Sequence, residues 1–260
     1  MNNDTRPIGL FDSGIGGTTI WSAVHKLMPN ENTIFLGDSA HAPYGQRSKE
    51  NLIALSAKNI DWLLENNAKL IIVACNTATT NAIEELRSRY EIPIIGIEPA
   101  IKPAALKTQT KKIGVLATER TLTSHKYAEA QKNFPEITFI NQAGHKIVQL
   151  IEEGQLYSEE MKTLLKMYLT PMMEQQIDQL VLGCTHYPHL LPILKTIVPE
   201  NIQIIDSGEA IAQQTQRILQ TNNLLKTDGL PGQFQFYTNK DVEILQSFIN
   251  GYGTAEKIDF

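Results

Sequence analysis

Short apolar runs rich in β-branched residues recur along this chain. Each is followed by a stretch in which apolar residues return every three or four positions. Ile8–Phe11, Thr33–Leu36, Leu70–Ala74 and Ile94–Ile97 have strand length, while Thr18–Lys26, Ser48–Glu65 and Ala78–Tyr90 carry the helical period. In the longest of these helices Leu52, Leu55, Ile60, Leu63 and Leu64 form the apolar face. The second half continues the alternation. Strands are predicted at Ile113–Ala117, Ile137–Asn141, Leu180–Gly183 and Ile202–Ile205, and helices at Thr121–Asn133, Gly144–Glu153, Ser158–Glu174 and Leu190–Ile197. A helix at Glu209–Gln220, a loop rich in Gly, Pro and Asn, a short strand and a last helix complete the pattern. Strands alternating with helices predict an α/β fold built on parallel sheets.

The two halves resemble each other. LIIVACNTATTNAIEELRSRYEIPIIGIEPA, from Leu70, lies over QLVLGCTHYPHLLPILKTIVPENIQIIDSGEA, from Gln179. Each has an apolar strand, a Cys at its end, a polar residue, a helix and another strand. GLFDSGIGGTTIWSAVHK, from Gly9, likewise lies over GVLATERTLTSHKYAEAQ, from Gly114, with Ser13 and Thr118 in the two turns. The period, about a hundred residues, is far longer than a solenoid repeat and reads as two α/β lobes of related design.

This pattern changes the meaning of the only two cysteines, Cys75 and Cys184. A lone cytosolic Cys is ordinarily a small buried hydrophobe, but two such residues have no reason to occupy the same place in both lobes. The carboxyl edge of a parallel sheet is where ligands bind, and a helix N-terminus is expected to lower a thiol's pKa from about 8.5. Thiols facing each other across a cleft suit inversion at one carbon: one removes a proton from one face and the other delivers a proton to the opposite face. Asp12-Ser13 in a Gly-rich turn, Pro43-Tyr44-Gly45, Asn76-Thr77 and Thr185-His186 offer groups to grip a small charged substrate. His186 is placed to orient Cys184, and Asp12 to serve Cys75.

The net charge of −5, from 23 basic and 28 acidic residues, argues against nucleic acid as a partner. No apolar run has the length of a membrane span, and no secretory leader is visible, so a cytoplasmic protein is expected. The loop DSGIGG lacks the Gly-Lys-Ser/Thr ending of a phosphate-binding loop. Cys184, His186 and His189 do not have the spacing of a common zinc motif. His41 and His145 read as solvated or as satisfied structural histidines, and Glu98-Pro99-Ala100 as either a plain turn or a site contact. A thiol-redox protein would want neighbouring cysteines; a non-catalytic binding protein would show no proton exchange on its ligand.

The segments GLFDSGIGG (Gly9–Gly17), APYG (Ala42–Gly45), ACNTAT (Ala74–Thr79) and LGCTHYP (Leu182–Pro188), in this order and spacing, resemble the glutamate racemases of the aspartate/glutamate racemase superfamily. An aspartate racemase is the nearest alternative. The resemblance runs from Gly9 to about Ala210 and departs at Ala117, where a Gly is expected. It implies two pseudo-symmetric lobes, each with a mostly parallel sheet flanked by helices and with the site in the cleft between them. The first lobe is expected over residues 1–98 plus 208–260 and the second over 99–207.

It also implies a two-base reaction without pyridoxal phosphate or metal, with Cys75 deprotonating D-glutamate and Cys184 deprotonating L-glutamate. Asp12 and His186 match the auxiliary acid/base positions. Asp12, Ser13, Tyr44, Gly45, Asn76, Thr77, Thr118, Thr185 and His186 match substrate contacts. A homodimer, a cleft that closes by movement of the lobes, and a role in making D-glutamate for peptidoglycan are further expectations.

Overall fold

The computed structural model describes residues 3–249 and 251–260. The first lobe begins with β1 (Ile8–Asp12), α1 (Thr18–Leu27), β2 (Thr33–Gly37), α2 (Lys49–Glu65), β3 (Leu70–Val73), α3 (Asn76–Arg89) and β4 (Ile94–Gly96). The chain then crosses to α4 (Ile101–Lys107), β5 (Lys112–Ala117), α5 (Glu119–Leu122), α6 (His125–Lys132), β6 (Thr138–Ala143), α7 (Ile147–Glu152), α8 (Glu159–Glu174), β7 (Gln179–Gly183), α9 (Leu191–Ile197) and β8 (Gln203–Ile205). It finishes with α10 (Gly208–Thr221), β9 (Phe234–Thr238), α11 (Val242–Phe248) and β10 (Ala255–Lys257).

Two sheets result, with strand orders β10-β9-β2-β1-β3-β4 and β6-β5-β7-β8, and every pairing is parallel. The order β2-β1-β3-β4 is repeated by β6-β5-β7-β8, so the internal resemblance in the sequence is a resemblance of topology. The two cysteines follow equivalent strands, β3 and β7. β9 and β10 extend the first sheet, with β9 in register on β2 from Thr33↔Phe234 to Gly37↔Thr238.

The central strands are buried on both faces: Ile8–Asp12, Leu70–Val73 and Gln179–Gly183 have no exposed residue. That explains their continuous apolar character. One apolar core runs beneath both sheets and includes Leu10 and Ile72 of the first with Leu116 and Leu182 of the second. At the amino edge of the first sheet, Lys69 is buried and its Nζ donates to Glu31 Oε2 and to the Asp4 carbonyl, both at 2.7 Å. Glu31 Oε1 accepts the Lys226 N–H at 2.8 Å. This buried pair ties both ends of the chain to the edge opposite the cysteines, where a charge left alone would be costly.

Three local features differ from the sequence pattern. The predicted helix Thr121–Asn133 is broken into α5 and α6, because Thr118 and Ser124 each cap a helix, accepting from Thr121 N and Tyr127 N. The helix expected from Gly144 starts at Ile147, after Lys146 takes a left-handed conformation with φ of 63°. α4 and β10 are additional elements, too short to show a period. Among the described residues no helix is long and apolar enough to cross a membrane.

Candidate active site

The carboxyl edges of the two sheets face each other. Ser13, Tyr44, Gly45, Asn76, Thr77, Thr118, Cys75, Cys184, Thr185 and His186 line one cavity there, with Pro43 and Val148. Its volume is about 10 Å³, room for roughly one water molecule. The cleft is therefore closed, and a ligand of amino-acid size needs the walls to part. A roomier hollow of about 540 Å³, lined by Gly96, Pro99–Pro103, Phe134 and Ile211, holds neither thiol. Glu98 and Ala100 lie on that hollow and not on the inner cavity, and Ser207 Oγ donates to the Glu98 carbonyl at 2.5 Å.

On the first-lobe side, Cys75 is the N-cap residue of α3 and its Sγ donates to Ser13 Oγ at 3.6 Å. The expected depression of the thiol is not found here. Burial first, and the nearby Asp12 charge second, push the Cys75 thiol up, against the opposing N–H of Ala78. Asp12 ends β1 and is fully buried behind the cavity wall. Its Oδ2 accepts Gly17 N at 2.8 Å, and both oxygens accept Thr185 Oγ1 at 3.3 Å. Burial raises the Asp12 carboxyl to about 6, opposed by the His186 charge.

On the second-lobe side, Cys184 Sγ lies 3.8 Å from His186 Nδ1, and His186 Nε2 meets Glu152 Oε1 at 2.6 Å. Here a turn and a short 3-10 segment, Tyr187–Leu190, separate the thiol from α9, so Cys184 does not cap a helix as Cys75 does. Burial alone would lower His186. The hydrogen bonds and charges of Cys184 and Glu152 outweigh it and raise the imidazole well above its ordinary value. Burial would raise Glu152, but its hydrogen bond and Coulombic attraction to His186 hold it below the usual carboxylate range. His186 Nδ1 is also 4.0 Å from Asp12 Oδ2. His186 therefore connects the two halves of the site.

Glu152 was not among the residues singled out in the sequence. The signal for it is its register: it stands four positions after the cavity-lining Val148, on the buried face of α7. The main chain recognises it too, because Ile15 N donates to Glu152 Oε1 at 2.7 Å. This explains the bare Gly-rich loop: a Cβ on Gly14 would collide with the Glu152 carboxylate, and one on Gly16 with the His186 ring.

Tyr44 is buried. Its hydroxyl donates to Asp38 Oδ2 at 2.6 Å and accepts from Asn59 Nδ2 at 3.2 Å. Burial and Asp38 hold that phenol protonated. Asp38 Oδ1 also accepts from Asn239 Nδ2 and pairs with His41 Nδ1, both at 2.6 Å, so His41 supports this wall. Asn76 and Thr77 occupy the first turn of α3, where Asn76 Oδ1 is buried without a hydrogen-bond partner among the described residues. Thr77 Oγ1 meets Thr118 Oγ1 across the cleft at 2.9 Å. His145 lies at the cleft's mouth rather than in the inner cavity. His189 Nε2 is 3.1 Å from Thr18 Oγ1, and burial and the His186 charge lower its imidazole to about 3. Among the described residues no group of three His, Cys, Asp or Glu side chains is arranged to hold a metal.

Residues 18–215 match the family model described as Asp/Glu/Hydantoin racemase. A glutamate racemase of Ectopseudomonas mendocina is 40% identical over 252 residues, covering 96% of this chain and 95% of that protein. The crystal structure of Francisella tularensis glutamate racemase in complex with D-glutamate superposes with a TM-score of 0.84 at 30% identity, covering 98% of each chain. The Escherichia coli glutamate racemase in complex with L-glutamate and the activator UDP-MurNAc-Ala superposes with a TM-score of 0.85 at 31% identity, covering 97% of this chain and 98% of that one.

Proposed function

The chain belongs to the glutamate racemases of the Asp/Glu/hydantoin racemase family and is an isomerase acting on amino acids; from this premise we propose that it interconverts L- and D-glutamate with Cys75 and Cys184 as its two acid/base groups. The observation that carries this reading is the convergence of two topologically equivalent thiols on one closed cavity, each with its own polar partner. Relatives bound to D-glutamate and to L-glutamate share the fold, which supports glutamate as the substrate.

Cys75 takes the α-proton of D-glutamate and Cys184 that of L-glutamate, and in each direction the other thiol delivers a proton to the opposite face. Asp12 stands behind Cys75, while His186 and Glu152 stand behind Cys184. The unpartnered Asn76 Oδ1 is an acceptor for the substrate ammonium. Ser13, Tyr44, Gly45, Thr77, Thr118 and Thr185 complete the contacts. Proton removal from an amino acid without an electron sink needs charged and dipolar groups fixed before the substrate arrives. The closed, hydrogen-bonded wall meets that need by water exclusion and preorganisation. Neither pyridoxal phosphate nor metal takes part in this scheme.

The raised Cys75 thiol fits a proton donor before reaction. A substrate ammonium beside it favours the thiolate by the ordinary effect of a nearby positive charge. The resemblance extends the reading to a cytoplasmic homodimer of the lobes 1–98 plus 208–260 and 99–207, making D-glutamate for peptidoglycan. Free thiols suit the reducing compartment.

The test is circular dichroism of L-glutamate, and separately of D-glutamate, with purified protein and no added cofactor. Decay of both signals to zero is expected. Persistence of either signal contradicts the reading, and decay of aspartate alone changes the substrate.

A further inference from the structure

At the mouth of the cleft the lobes face each other across a second hollow of about 170 Å³. Pro43, Gly45 and Gln46 line it from the first lobe, and Thr118, Glu119 and the turn starting at Gly144 from the second. Pro43, Gly45 and Thr118 also line the inner cavity, so the two hollows adjoin. A molecule taking this route to the thiols passes between Pro43–Gln46 and Thr118–Glu119. The next residue on each side is an arginine, Arg47 and Arg120.

Arg120 reaches across the gap. Its Nε donates to the main-chain oxygen of Arg47 at 3.0 Å, and its Nη2 donates to the same oxygen. The Arg47 guanidinium folds back, its Nε and Nη2 donating to the His41 carbonyl at 3.0 and 2.8 Å. The segment carrying the Pro43–Gly45 turn is thus tied to itself by one arginine and to the other lobe by the next. Its other anchors, Asn239 on Asp38 and on the Ala40 N–H, Asn59 on the Tyr44 hydroxyl and the Asp12 carbonyl on the Asp38 N–H, all lie within the first sheet and its helices. Among the described residues the Arg120 guanidinium makes no hydrogen bond within its own lobe. Its acceptor is main chain fixed by a turn, Arg47 N donating to the Tyr44 carbonyl at 3.0 Å.

We propose that Arg120 is a strap that holds the cleft shut over the substrate, a positioning residue that acts through the Pro43–Gly45 turn and sets how fast a bound ligand escapes. The proposal rests on the reading of the site as that of a glutamate racemase. The planar guanidinium suits the task because two N–H groups of one rigid fork converge on one oxygen, a geometry an ammonium does not reproduce.

The test compares wild type with Arg120→Met and Arg120→Lys by two measurements. One is amide hydrogen exchange of the substrate-free protein. The other is the α-deuterium isotope effect on kcat/KM for glutamate. Loss of the strap is expected to speed exchange at Tyr44–Arg47 and Thr118–Leu122 by about tenfold, the scale of a lost charge-assisted hydrogen bond. The isotope effect is expected to rise for both enantiomers, because substrate then leaves before it reacts. A smaller fraction of folded enzyme lowers kcat but does not move the isotope effect, so a merely structural role is told apart. Arg120→Lys is expected to behave like Arg120→Met; full wild-type behaviour from the Lys variant would overturn the fork. Unchanged exchange and an unchanged isotope effect in Arg120→Met, with an active wild type, would overturn the strap. If Arg120→Met does not fold, the Lys variant decides by the same two readouts. If wild type itself does not racemise glutamate, the site reading fails, while the exchange data still judge the strap.

Discussion

Cys75 and Cys184 follow equivalent strands of the two sheets, yet they stand in different company. Cys75 caps a long helix, faces a neutral hydroxyl at Ser13, and has the Asp12 carboxyl behind it. Cys184 precedes a short turn and faces an imidazole held by Glu152. One half places an anion near its thiol, and the other places a cation near it. The repeated strand–Cys unit therefore sets the position of each thiol, while the partners around it differ between lobes. On the proposed two-thiol reading, two mirror-image substrates do not require mirror-image surroundings.

The comparison breaks most sharply if either thiol is dispensable. Cys75→Ser and Cys184→Ser are each expected to lower racemisation by at least roughly a thousandfold, the scale of lost acid/base catalysis, with unchanged circular dichroism in the far ultraviolet. Near-normal turnover by either variant would remove the symmetry of the two thiols.

Glu152→Gln sharpens the difference between the halves. It removes the carboxylate that helps raise His186, and turnover is expected to fall by about a hundredfold. The imidazole then drops toward its ordinary range, so a new dependence on pH between about 6 and 7 is expected in the rate. An unchanged profile would show that Glu152 does not govern His186.

Asp12→Asn tests the other half, with opposite signs for activity and stability. Asp12 is raised from 3.8 to about 6 in the folded protein, so the fold binds this proton more tightly than the unfolded chain does. Its effect on stability is absent below about pH 4 and becomes unfavourable as pH rises through about 6. The Asn variant is expected to be more stable than wild type at pH 7, by on the order of 1–3 kcal/mol, and to lose that advantage near pH 4. Chemical denaturation at the two pH values measures it. The wild-type rate is expected to fall as pH drops through about 6, as Asp12 becomes neutral.

The smallest expected effect is none. Dialysis against a chelator leaves the rate unchanged in a scheme where two thiols carry the proton. A loss restored by added metal would contradict it.

Much of this was legible along the chain. The strand–Cys–polar pattern at Leu70 and Gln179 placed both thiols, and the four motifs marked ten of the twelve residues that line the cavity. The partners were harder to see. Glu152 comes from a helix with no motif of its own, and it matters because the first-lobe loop at Gly14–Gly16 closes over it. Asp38 holds Tyr44 from six positions away, but Asn239, which holds Asp38, is 201 positions further along the chain. The expected depression of the Cys75 thiol failed because the helix N-terminus was visible in the sequence and the burial was not. The break between α5 and α6 was hidden for a related reason: Ser124 reads equally well as a helix residue or as a cap.

The most direct test of the two-thiol account is deuterium incorporation at the α-carbon in D2O, followed early in the reaction from each pure enantiomer. Two monoprotic bases on opposite faces predict that the product carries solvent deuterium while unreacted substrate keeps its protium, from L- and from D-glutamate alike. Protium carried from substrate into product, or equal early labelling of substrate and product, would mean that one group serves both faces and would contradict the account.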